Sequence, residues 1–183
     1  MDYCLMADGM AADSSETASA LDQAREEALR WFDELHGPVR RYLIRIGVPA
    51  QQADDALQET FLRLYQHLRK GGDISNVRAW IFQVARNYIR DERRTAHRRR
   101  ATPLDAARLV DSAVDPEQAV LSDERELRVR TAVEQLPPRE KECIILRSSG
   151  LKYREIAEVM GISVATVSGL AMRATARLAG EVL

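Results

Sequence analysis

The sequence predicts an all-α protein of two small helical domains joined by a flexible linker, the second containing a helix-turn-helix. Three observations carry that prediction. Apolar residues recur at three- and four-residue steps along several segments, none alternates with strand period, and a stretch around Pro103, Asp111, Asp115 and Pro116 interrupts the pattern. A chain of 183 residues can hold one ordinary domain or two small ones, and the interruption favours two. Residues 1–24 read as a mobile acidic tail, 25–100 as the first domain, 101–122 as the linker and 123–183 as the second domain.

Ala, Ser, Asp and Met dominate residues 1–24, with few large apolar side chains to bury, hence a tail, with helix allowed for toward Leu21. A first helix is expected over Arg25–Leu35, anchored by Leu29, Trp31, Phe32 and Leu35, and His36-Gly37-Pro38 should break it. A short helix carrying Val39, Leu43 and Ile46 follows, ended by Gly47 and Pro49. The next runs from about Gln51 to Arg69, with Ala53, Leu57, Phe61, Leu64 and Leu68 as its core stripe. Gly71, Gly72 and Asp73 then turn the chain, and Ser75 or Asn76 is available to cap the following helix. That helix, Val77 to Arg100, has an inward seam of Val77, Trp80, Ile81, Val84 and Tyr88, which makes Trp80 a core anchor. Within the linker, a short helix is expected at most near Leu104 to Val110. Beyond it, helical patterns cover about Asp123 to Gln135, Pro138 to Ser148, Tyr153 to Met160 and Ser163 to Ala179.

The near-neutral total charge of −1 conceals a polarised chain. From Met1 to Gly37 nine acids face only Arg25 and Arg30, whereas Val77 to Arg100 sets eight arginines against only Asp91 and Glu92. Gln83, Arg86, Asn87, Arg90 and Arg94 fall on the face opposite that helix's seam. Guanidinium groups suit phosphate, and amides suit base edges, so the face is built to meet a nucleic acid. Asp54, Asp55 and Glu59 give the early turns of the preceding helix a negative surface, which also complements its dipole.

The second constellation is Tyr153 to Leu170, YREIAEVMGISVATVSGL, with the layout of a helix-turn-helix. Ala157 permits close helix approach, Gly161 allows a turn with positive φ, and Ile156, Met160, Ile162, Val167 and Leu170 fill the wedge. Ser163 can cap the second helix.

In that order, the segments DDALQETFLRLYQHL (Asp54 to Leu68), VRAWIFQVARNYIRDERR (Val77 to Arg94) and LPPREKECIILRSSGLKYREIAEVMGISVATV (Leu136 to Val167) resemble a bacterial RNA polymerase sigma factor of the extracytoplasmic-function group. With the linker they span nearly all of the chain beyond the tail. The resemblance implies a first domain that binds the β′ clamp of core RNA polymerase and opens the promoter at its minus-ten element. It implies a second that recognises the minus-thirty-five element and touches the β flap. Asp54, Asp55, Gln58, Glu59 and Arg63 would form the polymerase-facing surface, and Arg86, Asn87, Arg90, Asp91 and Arg94 the minus-ten surface. Asn87 would contact a base taken out of the stack. Ser163, Ala165, Thr166, Ser168, Arg173 and Arg177 would form the minus-thirty-five surface. The resemblance also makes an anti-sigma partner an expectation.

One departure stands out. Related sequences often follow the Thr-Val pair with a basic, a small polar and another basic residue, whereas here Thr166-Val167 precedes Ser168, Gly169 and Leu170. Gly169 also costs about 1 kcal/mol relative to Ala inside a helix. Minus-thirty-five binding is therefore expected to rest on backbone contacts and DNA shape, with Arg173 and Arg177 as phosphate ligands.

A self-sufficient, dimeric DNA-binding regulator is the alternative, and a nuclease a distant third. The acidic and arginine-rich faces of the first domain favour the sigma factor. No clustered carboxylate, His or Cys set marks a catalytic centre, so no enzyme activity and no cofactor are expected. His36, His67 and His97 lack metal-ligand spacing, so no metal site is expected either. Cys4 and Cys143 form no disulfide framework, and Cys143 reads as a small core residue. With no bilayer-length apolar run and no secretion signal, the expected location is cytoplasmic, without membrane insertion.

Overall fold

The structure, a computed structural model, describes residues 8–100 and 124–182. These residues form seven helices: α1 (Asp8–Arg45), α2 (Ala50–Arg69), α3 (Val77–Arg100), α4 (Glu124–Gln135), α5 (Pro138–Ser148), α6 (Tyr153–Met160) and α7 (Val164–Val182). The linker, and with it the short helix expected at most near Leu104 to Val110, lies outside the described residues.

The largest departure from expectation is α1. The break at His36-Gly37-Pro38 does not occur, and one helix replaces the two expected there. A proline inside a helix costs about 3 kcal/mol, because it donates no backbone hydrogen bond and crowds the preceding turn. Leu35, Val39, Tyr42 and Leu43 flank Pro38 on one face and are fully buried. Burying an aliphatic side chain contributes about 1.5–3 kcal/mol, so three of these outweigh the proline. The helix also starts at Asp8, inside the segment expected to be a tail. Once Ala24 and the residues after it are docked, each further residue adds a hydrogen bond without a new nucleation cost.

Helix α1 ends at Arg45, and two residues on, Gly47 turns the chain with φ of +83°. The Val48 N–H donates to the Leu43 carbonyl at 3.0 Å and the Gly47 N–H to that of Ile44 at 2.9 Å. These bonds satisfy carbonyls the helix end leaves open. Pro49 then precedes α2, which packs on α1 through Ala53, Ala56, Leu57, Phe61 and Leu64. Two edge-to-face ring pairs tie the layers together, Phe32 with Phe61 at 5.0 Å and Tyr42 with Phe82 at 5.4 Å.

Asn76 caps α3, its Oδ1 accepting from the Ala79 N–H at 3.1 Å. The buried face of α3 is Ala79, Ile81, Phe82, Ala85 and Ile89. The expected seam is thus displaced, with Val77, Trp80 and Tyr88 only partly buried. The cause is that α3 packs against α1, α2 and also α6, which broadens its apolar stripe.

In the second domain α7 packs on α4, α5 and α6. Ile156, Ala157, Met160, Val167 and Leu170 are buried as the helix-turn-helix pattern requires. Gly161 has φ of +65°, a conformation that strains residues bearing a Cβ, and it turns the chain from α6 toward α7. Cys143 is fully buried, and burial beside the Glu142 charge raises its thiol pKa, which suits a core thiol rather than a reactive one. No single helix among the described residues is long and apolar enough to cross a membrane.

The domains are not held apart. Helix α3 packs on α6 and α1 on α5, and one continuous buried cluster runs through both domains.

Candidate nucleic-acid interface

The five candidate side chains on α3 share one side of the helix. At about 100° per residue, Arg86, Asn87, Arg90, Asp91 and Arg94 span an arc of roughly 140°, turned away from Phe82, Ala85 and Ile89. Arg90, Asp91 and Arg94 are exposed, whereas Asn87 and Arg86 are half-buried. Arg86 is the exception in its bonding. Its Nε donates to Glu142 Oε1 at 2.6 Å and an Nη donates to Oε2 at 3.3 Å, and Glu142 also accepts from the Tyr42 hydroxyl at 2.9 Å. Burial lowers the Arg86 pKa, but the Glu142 carboxylate outweighs it and the net shift is upward. Burial, reinforced by Glu142, pushes the Tyr42 hydroxyl well above its ordinary range. Both therefore remain protonated donors at neutral pH.

On α2, Asp55, Gln58, Glu59 and Arg63 face one way, with Glu59 and Arg63 paired at 2.7 Å. Asp54 sits about a quarter turn aside and pairs with Arg40 at 2.8 Å. Two features of this surface escaped the sequence reading. Leu62, 48% exposed, lies in the middle of the Asp55–Arg63 face. Its signal was available, since it is a leucine off the apolar stripe. Tyr88 of α3 borders the same surface: partial burial, then the charges of Glu92, Asp55 and Glu59, raise its pKa.

In the second domain Ser163 caps α7 as expected, its Oγ accepting from the Thr166 N–H at 3.1 Å. Ser163, Ala165, Thr166 and Ser168 are exposed around the N-terminal turns of α7. Arg173 and Arg177, the expected phosphate ligands, both pair with Glu140 of α5. Arg173 Nε donates to Glu140 Oε1 at 3.1 Å, and Arg177 Nε lies 3.2 Å from Oε2 without the alignment of a hydrogen bond. The Glu140 side chain is 7% exposed, against 54% and 58% for the arginines, so one buried carboxylate anchors two half-solvated cations. A sequence shows no such pairing across α5 and α7.

Among the described residues, no group of His, Cys, Asp and Glu is arranged to hold a metal ion.

Comparison with known proteins matches each of the two domains to a family. Residues 31–99 match the family Sigma-70 region 2, and residues 126–178 match Sigma-70, region 4. The ECF RNA polymerase sigma factor SigL of Mycobacterium tuberculosis is 36% identical over 157 residues, covering 82% of this chain and 84% of SigL. The ECF RNA polymerase sigma factor EcfG of Rhodopseudomonas palustris is 30% identical over 158 residues, covering 86% and 83%. Among solved structures, the sigma factor RpoE from Bartonella quintana, in complex with the anti-sigma factor NepR, gives a TM-score of 0.64 at 25% identity, over 81% of this chain and 94% of RpoE. CnrH in complex with the cytosolic domain of CnrY shares the fold, with a TM-score of 0.59 at 24% identity over 90% and 92%. With a region 2 built on α1–α3 and a region 4 built on α4–α7, the chain belongs to the ECF group of RNA polymerase sigma factors, a non-enzymatic family that binds RNA polymerase and promoter DNA.

Proposed function

We propose that this sigma factor works in the cytoplasm and divides promoter recognition among three surfaces. The α2 face of Asp55, Gln58, Glu59 and Arg63, centred on Leu62 and flanked by Asp54, meets the β′ clamp. An apolar residue ringed by charges supplies desolvation at the centre and orientation at the edge. On α3, Arg86, Asn87, Arg90 and Arg94 engage the minus-ten element, with Asp91 between them. The arginines hold the separated strand, and the Asn87 amide offers a donor and an acceptor to an unstacked base, offsetting the few kcal/mol that unstacking costs. The exposed turns of α7, Ser163 to Ser168, approach the minus-thirty-five duplex, with Arg173 and Arg177 beside them and the β flap against the same domain. An anti-sigma protein restrains the factor.

The observation that carries this reading is the segregation of α3: Arg86, Asn87, Arg90 and Arg94 occupy one side and the buried Phe82, Ala85 and Ile89 the other. Bacterial core polymerase mixed with the purified chain and a genomic fragment library should retain a defined set of fragments after a heparin challenge. Core alone should not. Equal retention with and without the chain would reject the reading.

A further inference from the structure

The junction between the domains is polar, charge-balanced and assembled from distant parts of the chain. Tyr42 of α1, Arg86 of α3 and Glu142 of α5 meet at one carboxylate, at 2.9 Å for the hydroxyl and 2.6 Å for the guanidinium Nε. Arg86 and Glu142 retain only 22% and 15% side-chain exposure, so water screens them little. A second bridge lies at the start of α3. The Asn76 amide donates to Glu155 Oε1 at 2.8 Å, while Glu155 Oε2 accepts from the Lys152 N–H at 2.6 Å. One carboxylate thereby joins the start of α6 to the cap of α3.

We propose that Glu142, assisted by Glu155, is a latch that closes the second domain onto α3 in the free chain and keeps Arg86 from DNA until the latch opens. The closure itself rests only on the contacts described; the consequence for DNA rests on the minus-ten role proposed for Arg86. The Nε–Nη edge of Arg86 is one of its two bidentate edges, and Glu142 occupies both positions of it. A phosphate could use that edge only by replacing the carboxylate. Grooves border the junction on both sides, one between Arg41 or Arg45 of α1 and Ser148 or Ser149 of α5, the other between Trp80 or Gln83 of α3 and Glu158 of α6. The polar contacts therefore lie close to solvent and can exchange for water when the domains part.

The test is single-pair energy transfer in the full-length chain, with Cys4 replaced by Ser and dyes on cysteines introduced at the exposed positions Gln66 and Ala176. The parent chain should show a predominant short-distance population. Glu142→Gln with Glu155→Gln should lower the closed-to-open ratio about tenfold or more, as expected for losing charge-assisted hydrogen bonds. Tyr42→Phe keeps the ring against Phe82 and should shift the ratio less, in the same direction. A parent chain that is mostly open, or a double variant with the parent distribution, overturns the latch. Single-stranded DNA affinity separates the two parts of the proposal. The double variant should bind about tenfold more tightly, and adding Arg86→Ala should abolish that gain. Opening without a gain overturns the brake on Arg86, whereas a gain that survives Arg86→Ala rejects the minus-ten role of that residue and leaves closure standing.

Discussion

Replacing Arg173 and Arg177 together by alanine is expected to destabilise the second domain more than replacing Glu140 by glutamine. The reason is an asymmetry of burial. The Glu140 side chain is 7% exposed, whereas the arginines are 54% and 58% exposed. Removing both arginines strands an ionised carboxylate between α5 and α7, and a buried charge left without its partner costs about 3–5 kcal/mol. Glu140→Gln instead removes the buried charge and leaves two guanidinium groups that water can reach. Its cost is one charge-assisted hydrogen bond, about 1.5–3 kcal/mol, reduced because no carboxylate remains to be desolvated; the net should be about 1–2 kcal/mol. Arg173→Ala alone should fall between, since Arg177 stays beside Glu140. Urea unfolding at pH 7 followed by far-UV circular dichroism gives the ranking from the midpoints. A double arginine variant within about 0.5 kcal/mol of the parent, or less costly than Glu140→Gln, would refute the claim that the carboxylate depends on these cations.

Charge reversal at Asp55 and Glu59 should weaken association with core polymerase at least tenfold in a binding titration while the far-UV spectrum stays that of the parent; unchanged affinity would remove these residues from the interface. Asn87→Ala should impair open-complex formation more than core binding, because a methyl cannot replace the directed contacts of the amide. Parent-like permanganate reactivity of the promoter bubble would count against its role. Glu155 supplies a pH dependence: burial raises its pKa, but the Lys152 N–H, the Asn76 amide and the charges of Lys152 and Arg78 outweigh burial and hold it below the usual carboxylate range. A depressed folded-state pKa gives stabilisation that is present above the unfolded value of about 4.3 and lost as pH falls through the folded one. Stability should therefore drop more steeply with acid, starting near pH 4.3, in the parent than in Glu155→Gln, and parallel profiles would remove Glu155 as the cause.

Local patterns made much of this fold legible. The bounds of α3, α5 and α6, the stripe of α2, the turn at Gly161 and the caps at Asn76 and Ser163 all follow from residues within a turn or two of one another. What the sequence hides is non-local. Pro38 reads as a breaker unless the shared burial of Leu35, Val39, Tyr42 and Leu43 is known. The displaced core face of α3 depends on α6, which lies beyond the linker. Glu142 meets Tyr42 across 100 positions and Arg86 across 56, and Glu140 meets Arg173 across 33; no periodicity records such pairs. Site residues were legible as types on faces, but their bonding partners were not.

The most direct measurement is multi-round transcription by bacterial core polymerase on linear templates taken from the fragments that the chain retains. Transcripts of defined length should appear only when chain and core are both present, and Asn87→Ala should reduce them while still associating with core. Transcripts of equal yield from core alone, or DNA binding by the chain without any transcript in the presence of core, would contradict its role as a promoter-specificity subunit.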